Sequence, residues 1–167
     1  MSGKDLQGDQ AVVSVSVAVD QETAFAIFTE EIDQWWRRGA RFRVAGAKRG
    51  IIHLEPRAGG RLFESFDTDA EPTVVQTGTI TVWDPPRRLA FDWRGANFAP
   101  HERTEVEVTF EGNDARTLVT VVHRGWSSIR SDHPARHGLD VVAFLGMNGM
   151  WWGDQMASLR TLIASRS

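Results

Sequence analysis

Residues 139–164 read LDVVAFLGMNGMWWGDQMASLRTLIA, and the spacing in this stretch decides the fold. Leu145, Trp152, Met156, Leu159 and Ile163 fall on one stripe, with Phe144, Met147, Trp151 and Leu162 beside it, which is the period of a helix with one apolar side. Twenty-odd residues rising ~1.5 Å each span more than about 30 Å, enough to cross a whole sheet. Gly146, Gly149 and Gly153 interrupt the run, each at a cost of up to about 1 kcal/mol against Ala. Their presence points to close backbone approach or a bend over something.

Upstream the period changes to two. In Ala11–Val19, Val13, Val15, Val17 and Val19 share one face, and Ser14, Ser16 and Ala18 the other, a strand buried on one side. Asp20 sits where an N-cap belongs, and Gln21–Thr29 carries Ala24, Phe25, Ile27 and Phe28, a short amphipathic helix. Ile32, Trp35 and Trp36 extend its apolar surface by about a turn, and a basic loop follows from Arg37 to Gly50. Ile51–Leu54 and Arg61–Phe66 are short strands joined by a Pro- and Gly-rich turn. Thr73–Trp83, Arg88–Arg94, Glu102–Glu111 and Arg116–Arg124 continue the strand pattern, with Gly112-Asn113-Asp114 as a hairpin turn. Hairpins with one polar face make an antiparallel sheet whose other face must be covered, and the final helix is the element able to cover it.

Composition bounds what this scaffold does. A length of 167 residues suits one domain, residues 11–167, after a polar tail at 1–10 expected to be disordered. A net charge of -3 offers no field for nucleic acid or anionic membrane. No cysteine is present, so disulfides, thiol catalysis and cysteine-built metal sites are excluded. No apolar run approaches a membrane span or a signal peptide, and a cytoplasmic location is the expectation. Phosphate-loop, dinucleotide, zinc-protease and nucleophile-elbow motifs are all missing from the sequence. Seven Trp and nine Phe with no Tyr supply large rings for a tight core or for the walls of a cavity.

Five strings occur in order: AFAIFT at 24–29 running into IDQWW at 32–36, LEPRAGGR at 54–61, WDPPRRL at 83–89, EVEVTF at 105–110 and HRGW at 123–126. Together they resemble the family of homologues of the activator of the heat-shock-protein-90 ATPase, within the START-like (SRPBCC) superfamily, over roughly 11–164. The resemblance implies an α+β helix-grip fold. A curved antiparallel sheet of about seven strands wraps a long C-terminal helix, two short helices follow the first strand, and a cavity lies between sheet and helix. The eukaryotic co-chaperones of that name carry a further N-terminal domain not contained in these residues, which weighs against chaperone interaction.

The cavity would be lined by Trp35 and Trp36 from the early helices, by Phe63, Phe91, Trp93, Val108, Phe110, Val121 and His123 from the strands, and by Phe144, Met147, Trp151 and Trp152 from the last helix. Pockets of this kind are apolar with a few polar groups that orient the ligand. His123 reads either as such a group or as a satisfied core histidine. His133 and His137 have the i,i+4 spacing of paired metal ligands, but no third ligand is near in sequence, and two solvated histidines are the simpler reading. The basic loop reads as solvated surface, as do Arg57 and Arg61 with Glu55 and Glu64. The expectation is a binder of a small hydrophobic molecule, with no catalytic residue, metal or cofactor assigned. The alternatives are a cyclase- or hydrolase-type enzyme using His123 in the same cavity, and a protein-interaction module. Homodimerisation is left open.

Overall fold

A computed structural model describes residues 10–37, 42, 50–66, 73–94, 99, 101–126, 129, 132–133 and 138–166. Its elements are β1 (Gln10–Val17), α1 (Gln21–Glu30), α2 (Ile32–Trp35), β2 (Ile51–Leu54), β3 (Arg61–Phe66), β4 (Thr73–Asp84), β5 (Arg88–Trp93), β6 (Thr104–Gly112), β7 (Thr117–Arg124) and α3 (Val141–Ala164). Of the tail expected to be disordered, Gln10 already pairs with Arg124, and residues 1–9 lie outside the described set.

Local chemistry starts the helices where it should. Asp20 accepts the Thr23 N–H at 3.1 Å, and Asp140 accepts the Ala143 N–H at 2.8 Å, so each N-terminal turn has a satisfied donor. Asp140 also explains why α3 begins at Val141 rather than Leu139. The β2–β3 turn is closed by Glu55, whose carboxylate accepts the Arg61 backbone N–H at 2.8 Å and its Nε–H at 3.0 Å. Those bonds hold the Glu55 carboxyl down at about 2.

The seven strands form one antiparallel sheet in the order β1-β7-β6-β5-β4-β3-β2. Successive hairpins carry the chain from β2 across to β7, and the first strand completes the sheet beside the last. The strands curl as a half-barrel around α3, the helix-grip arrangement. Strand parity sends Val15, Val17, Leu89, Phe91, Val106, Val108, Phe110, Val119 and Val121 inward, where all are buried. From the helix side Trp152, Met156, Leu159 and Ile163 meet them.

Two readings of the long helix need correcting. Its buried stripe runs through Phe144, Asn148, Trp152, Gln155, Met156, Leu159 and Ile163, so two amides occupy positions that an apolar count passes over. Leu145 is displaced to a satellite cluster around Trp126, Ile129 and Phe144. The three helix glycines do not mark a close approach, since a Cβ on Gly146, Gly149 or Gly153 would meet nothing within 4 Å among the described residues.

Gly78 is where close approach does occur. It lies at the β3–β4 bulge, where the register shifts after its pairing with Leu62, and a Cβ there would run into the Asp92 carbonyl oxygen. Asp92 is fixed in turn, because its Oδ1 accepts the Thr79 N–H at 2.8 Å. Backbone cannot yield as a side-chain tip can, so Gly78→Ala is expected to cost about 1–3 kcal/mol, read as a lowered urea midpoint with unchanged m-value.

Candidate functional site: an aromatic cluster beside a polar core

The end of α2, strand β5 and the middle of α3 converge on one set of rings. Trp36 stacks on Trp93 with centroids 5.8 Å apart and meets Trp151 and Trp152 edge-on at 5.6 and 5.8 Å. Trp151 in turn stacks against Phe42 at 5.4 Å. The Trp36 indole N–H donates to the Phe42 carbonyl at 2.8 Å, tying that residue to the cluster. Trp36 is buried, whereas Trp93, Trp151 and Phe42 are half-buried, so one side of the cluster reaches the surface.

Behind these rings lies an interior gap of about 20 Å³, bordered by Trp36, Phe42, Leu62, Glu64, Thr77 and Trp93. That is room for about one water. Among the described residues this gap is smaller than a ligand-sized cavity, with Phe42, Trp36 and Trp93 at its border. Glu64, read from sequence as part of a surface ion-pair group, is 2% exposed and faces inward between Leu62 and Phe66. A carboxylate in such a wall needs compensating contacts, since burying charge costs several kcal/mol.

His123 sits next to this cluster at 1% exposure. The Trp152 Nε1–H donates to its Nδ1 at 3.0 Å. An indole nitrogen only donates, so Nδ1 must accept and the ring proton belongs on Nε2. Nε2 lies 2.7 Å from Thr104 Oγ1, which donates onward to the Trp93 carbonyl at 3.2 Å. Both ring nitrogens are therefore used. Burial pushes the imidazole down to about 3, so at neutral pH it is uncharged. Among the described residues its hydrogen-bond partners are Thr104 and Trp152, neither of them a carboxylate.

The other anticipated lining residues divide by position. Trp35 is fully buried, donating to the Phe28 carbonyl at 3.0 Å, and its own carbonyl accepts from Ser158 at 2.7 Å. Phe110 packs against Phe25 and Phe28 at 5.0 and 5.5 Å, and Phe91, Val108 and Val121 fill the same close-packed core. Phe63 borders the gap, but its ring stacks on His53 at 4.9 Å with the Arg61 guanidinium 4.5 Å above it. Phe144 lies on Trp126 at 4.4 Å, with Met147 in that satellite cluster. Of these residues Trp36, Trp93, Trp151 and Trp152 form the central cluster, and Trp35 adjoins it through Trp36 at 5.5 Å.

Sequence reasoning missed Glu64, Thr77, Thr104 and the pair Glu102–His133. His133 is 1% exposed rather than solvated, with Nε2 3.4 Å from Glu102 Oε1, and Glu102 also accepts the Ala99 N–H at 2.7 Å. No local spacing connects positions thirty-one residues apart, so the pair had no signal. His137 and most of the basic loop lie outside the described residues; Arg37 is exposed and its backbone N–H donates to Gln155 Oε1 at 2.8 Å. Among the described residues no three His, Asp or Glu side chains come together as metal ligands, and no helix is long and apolar enough to cross a membrane.

A half-barrel gripping one long helix, with its two early helices in place, can be set beside known families. The family model described as Activator of Hsp90 ATPase homolog 1-like protein matches residues 18–159. The chain belongs to this family. The family fold recurs in solved structures of low identity. A protein from Mesorhizobium loti superposes with TM-score 0.62 at 17% identity, covering 95% of this chain and 98% of its own. An HSP90 activator from Plasmodium falciparum gives 0.61 at 13%, over 93% and 96%. The Aha1 dimer from Colwellia psychrerythraea gives 0.60 at 13%, over 92% and 95%. A comparison with curated proteins finds no match. Identities this low carry the family's fold and leave its activities open.

Proposed function

We propose that this member of the Hsp90-activator-like family binds a small, flat hydrophobic molecule at the Trp36–Trp93–Trp151 cluster. The observation that carries the reading is the position of Phe42, whose ring stacks on Trp151 and borders the interior gap in the way a flat ligand would. Displacing that ring would merge its volume with the gap, under walls already made of indole faces. Glu64 and Thr77 then supply the few polar groups that orient a guest in an apolar pocket. His123 contributes by holding Trp152 and Thr104 in place, because both its nitrogens are engaged. That arrangement favours binding over proton transfer.

The test is titration with an uncharged apolar dye such as Nile red. Saturable dye fluorescence with quenching of Trp emission is expected, weakened about tenfold or more by Trp151→Ala, which removes a wall, and strengthened by Phe42→Ala, which removes the plug. Absence of saturable binding in both the parent protein and the Phe42→Ala variant would end the proposal.

A second reading is association with a protein partner. The Colwellia relative is described as a dimer and the Plasmodium one as an HSP90 activator. Among the described residues Met150, at 72% exposure on α3, is the most exposed large apolar side chain. Sedimentation of this chain alone distinguishes a homodimer from a monomer.

A further inference from the structure

Away from the aromatic cluster, a groove of about 420 Å³ runs along α1. Its floor is Phe25 and Trp83, edge-on with centroids 5.2 Å apart. Leu54 and Pro86, from the ends of the neighbouring hairpins, make the opposite wall. On the helix side the groove is bounded by Glu22 and Glu30, both exposed. Among the described residues no cationic side chain lines it. Among the described residues neither glutamate has an ion-pair partner, while the arginines of the adjoining turns are committed elsewhere. Arg57 and Arg61 pair with Glu55, and Arg87 pairs with Asp84.

Glu22 and Glu30 are eight positions apart on one helix, which sets their Cα atoms about 12 Å apart along its axis. The groove therefore presents two negative ends separated by an apolar trough with an indole in its floor. We propose that it binds a linear organic dication, an α,ω-diamine whose hydrocarbon middle lies over Trp83 and Phe25 and whose ammonium groups face Glu22 and Glu30. Indole faces attract ammonium groups and accept methylene chains. Placing each charge opposite a carboxylate gives a length preference that burial alone would not produce.

Isothermal titration calorimetry at low ionic strength, where screening is weakest, tests this with diaminooctane, diaminobutane, octylamine and octanoate. Diaminooctane is expected to bind saturably and at least about tenfold more tightly than either diaminobutane or octylamine, with octanoate not binding. Glu22→Gln or Glu30→Gln should each reduce diaminooctane to the octylamine level, and Trp83→Ala should weaken all the amines. Both glutamates are exposed on the helix surface, so the Gln variants are expected to keep the fold, checked by circular dichroism. Equal affinity for diaminooctane and octylamine, no binding of diaminooctane, or an isotherm unchanged in the double Gln variant would overturn the assignment.

Discussion

Urea unfolding at pH 5 is expected to give a stability about 2 kcal/mol lower than at pH 7 from His123 alone. The imidazole is held at about 3 in the folded protein, against 6.5 in an unstructured chain. Below pH 6.5 the unfolded chain takes up a proton that the folded one refuses, so stability falls as pH falls. The loss grows by about 1.4 kcal/mol per pH unit down to about pH 3 and then levels off. Above pH 6.5 the imidazole is neutral in both states and the contribution is flat. His123→Gln should abolish this part of the pH dependence, while itself costing about 1–3 kcal/mol at pH 7 if the Trp152 N–H loses its acceptor. The deciding quantity is the pH 7 minus pH 5 difference, compared between parent and variant. If that difference is the same in both, His123 is not the buried neutral group described.

The paired tryptophans of α3 are expected to behave as opposites. Trp152→Ala should destabilise by about 3–5 kcal/mol, the range for truncating a buried aromatic, because Trp152 is 1% exposed and packed in the main core. Trp152→Phe isolates the polar part. The ring stays, the N–H that reaches His123 Nδ1 at 3.0 Å is lost, and about 1–3 kcal/mol should go with it. Trp151, half-buried at the mouth of the cluster, should cost only about 1–2 kcal/mol as Trp151→Ala and should instead weaken dye binding. Denaturant midpoints on the three variants, with dye titration on Trp151→Ala, check the contrast. Equal destabilisation by the two Ala substitutions would remove the distinction between core and site.

That contrast also marks how far the sequence could be read. Trp151 and Trp152 are neighbours in the chain, and helical spacing placed both near the apolar stripe. Only tertiary packing assigned Trp152 to His123 on β7 and Trp151 to Phe42 in the segment after α2. Likewise, period-two alternation in β6 and β7 put Val106, Val108, Phe110, Val119, Val121 and His123 inward, and all six are buried. Alternation states the face of a strand and says nothing of what the side chain meets there. His123 was thus legible as inward-facing but not as saturated by Thr104 and Trp152. Glu64 obeyed the same parity, yet its charge suggested surface, because a lone carboxylate is rarely buried.

By itself, the sequence determined the element order, the helix-starting Asp20, the inward faces of the strands and the long covering helix. Each follows from local propensity or from a periodicity within one segment. Tertiary structure alone decided which rings pack between sheet and helix, and that Glu102 meets His133 thirty-one residues on. Those outcomes depend on side-chain volumes and contacts summed across several strands and helices, and no single segment encodes them.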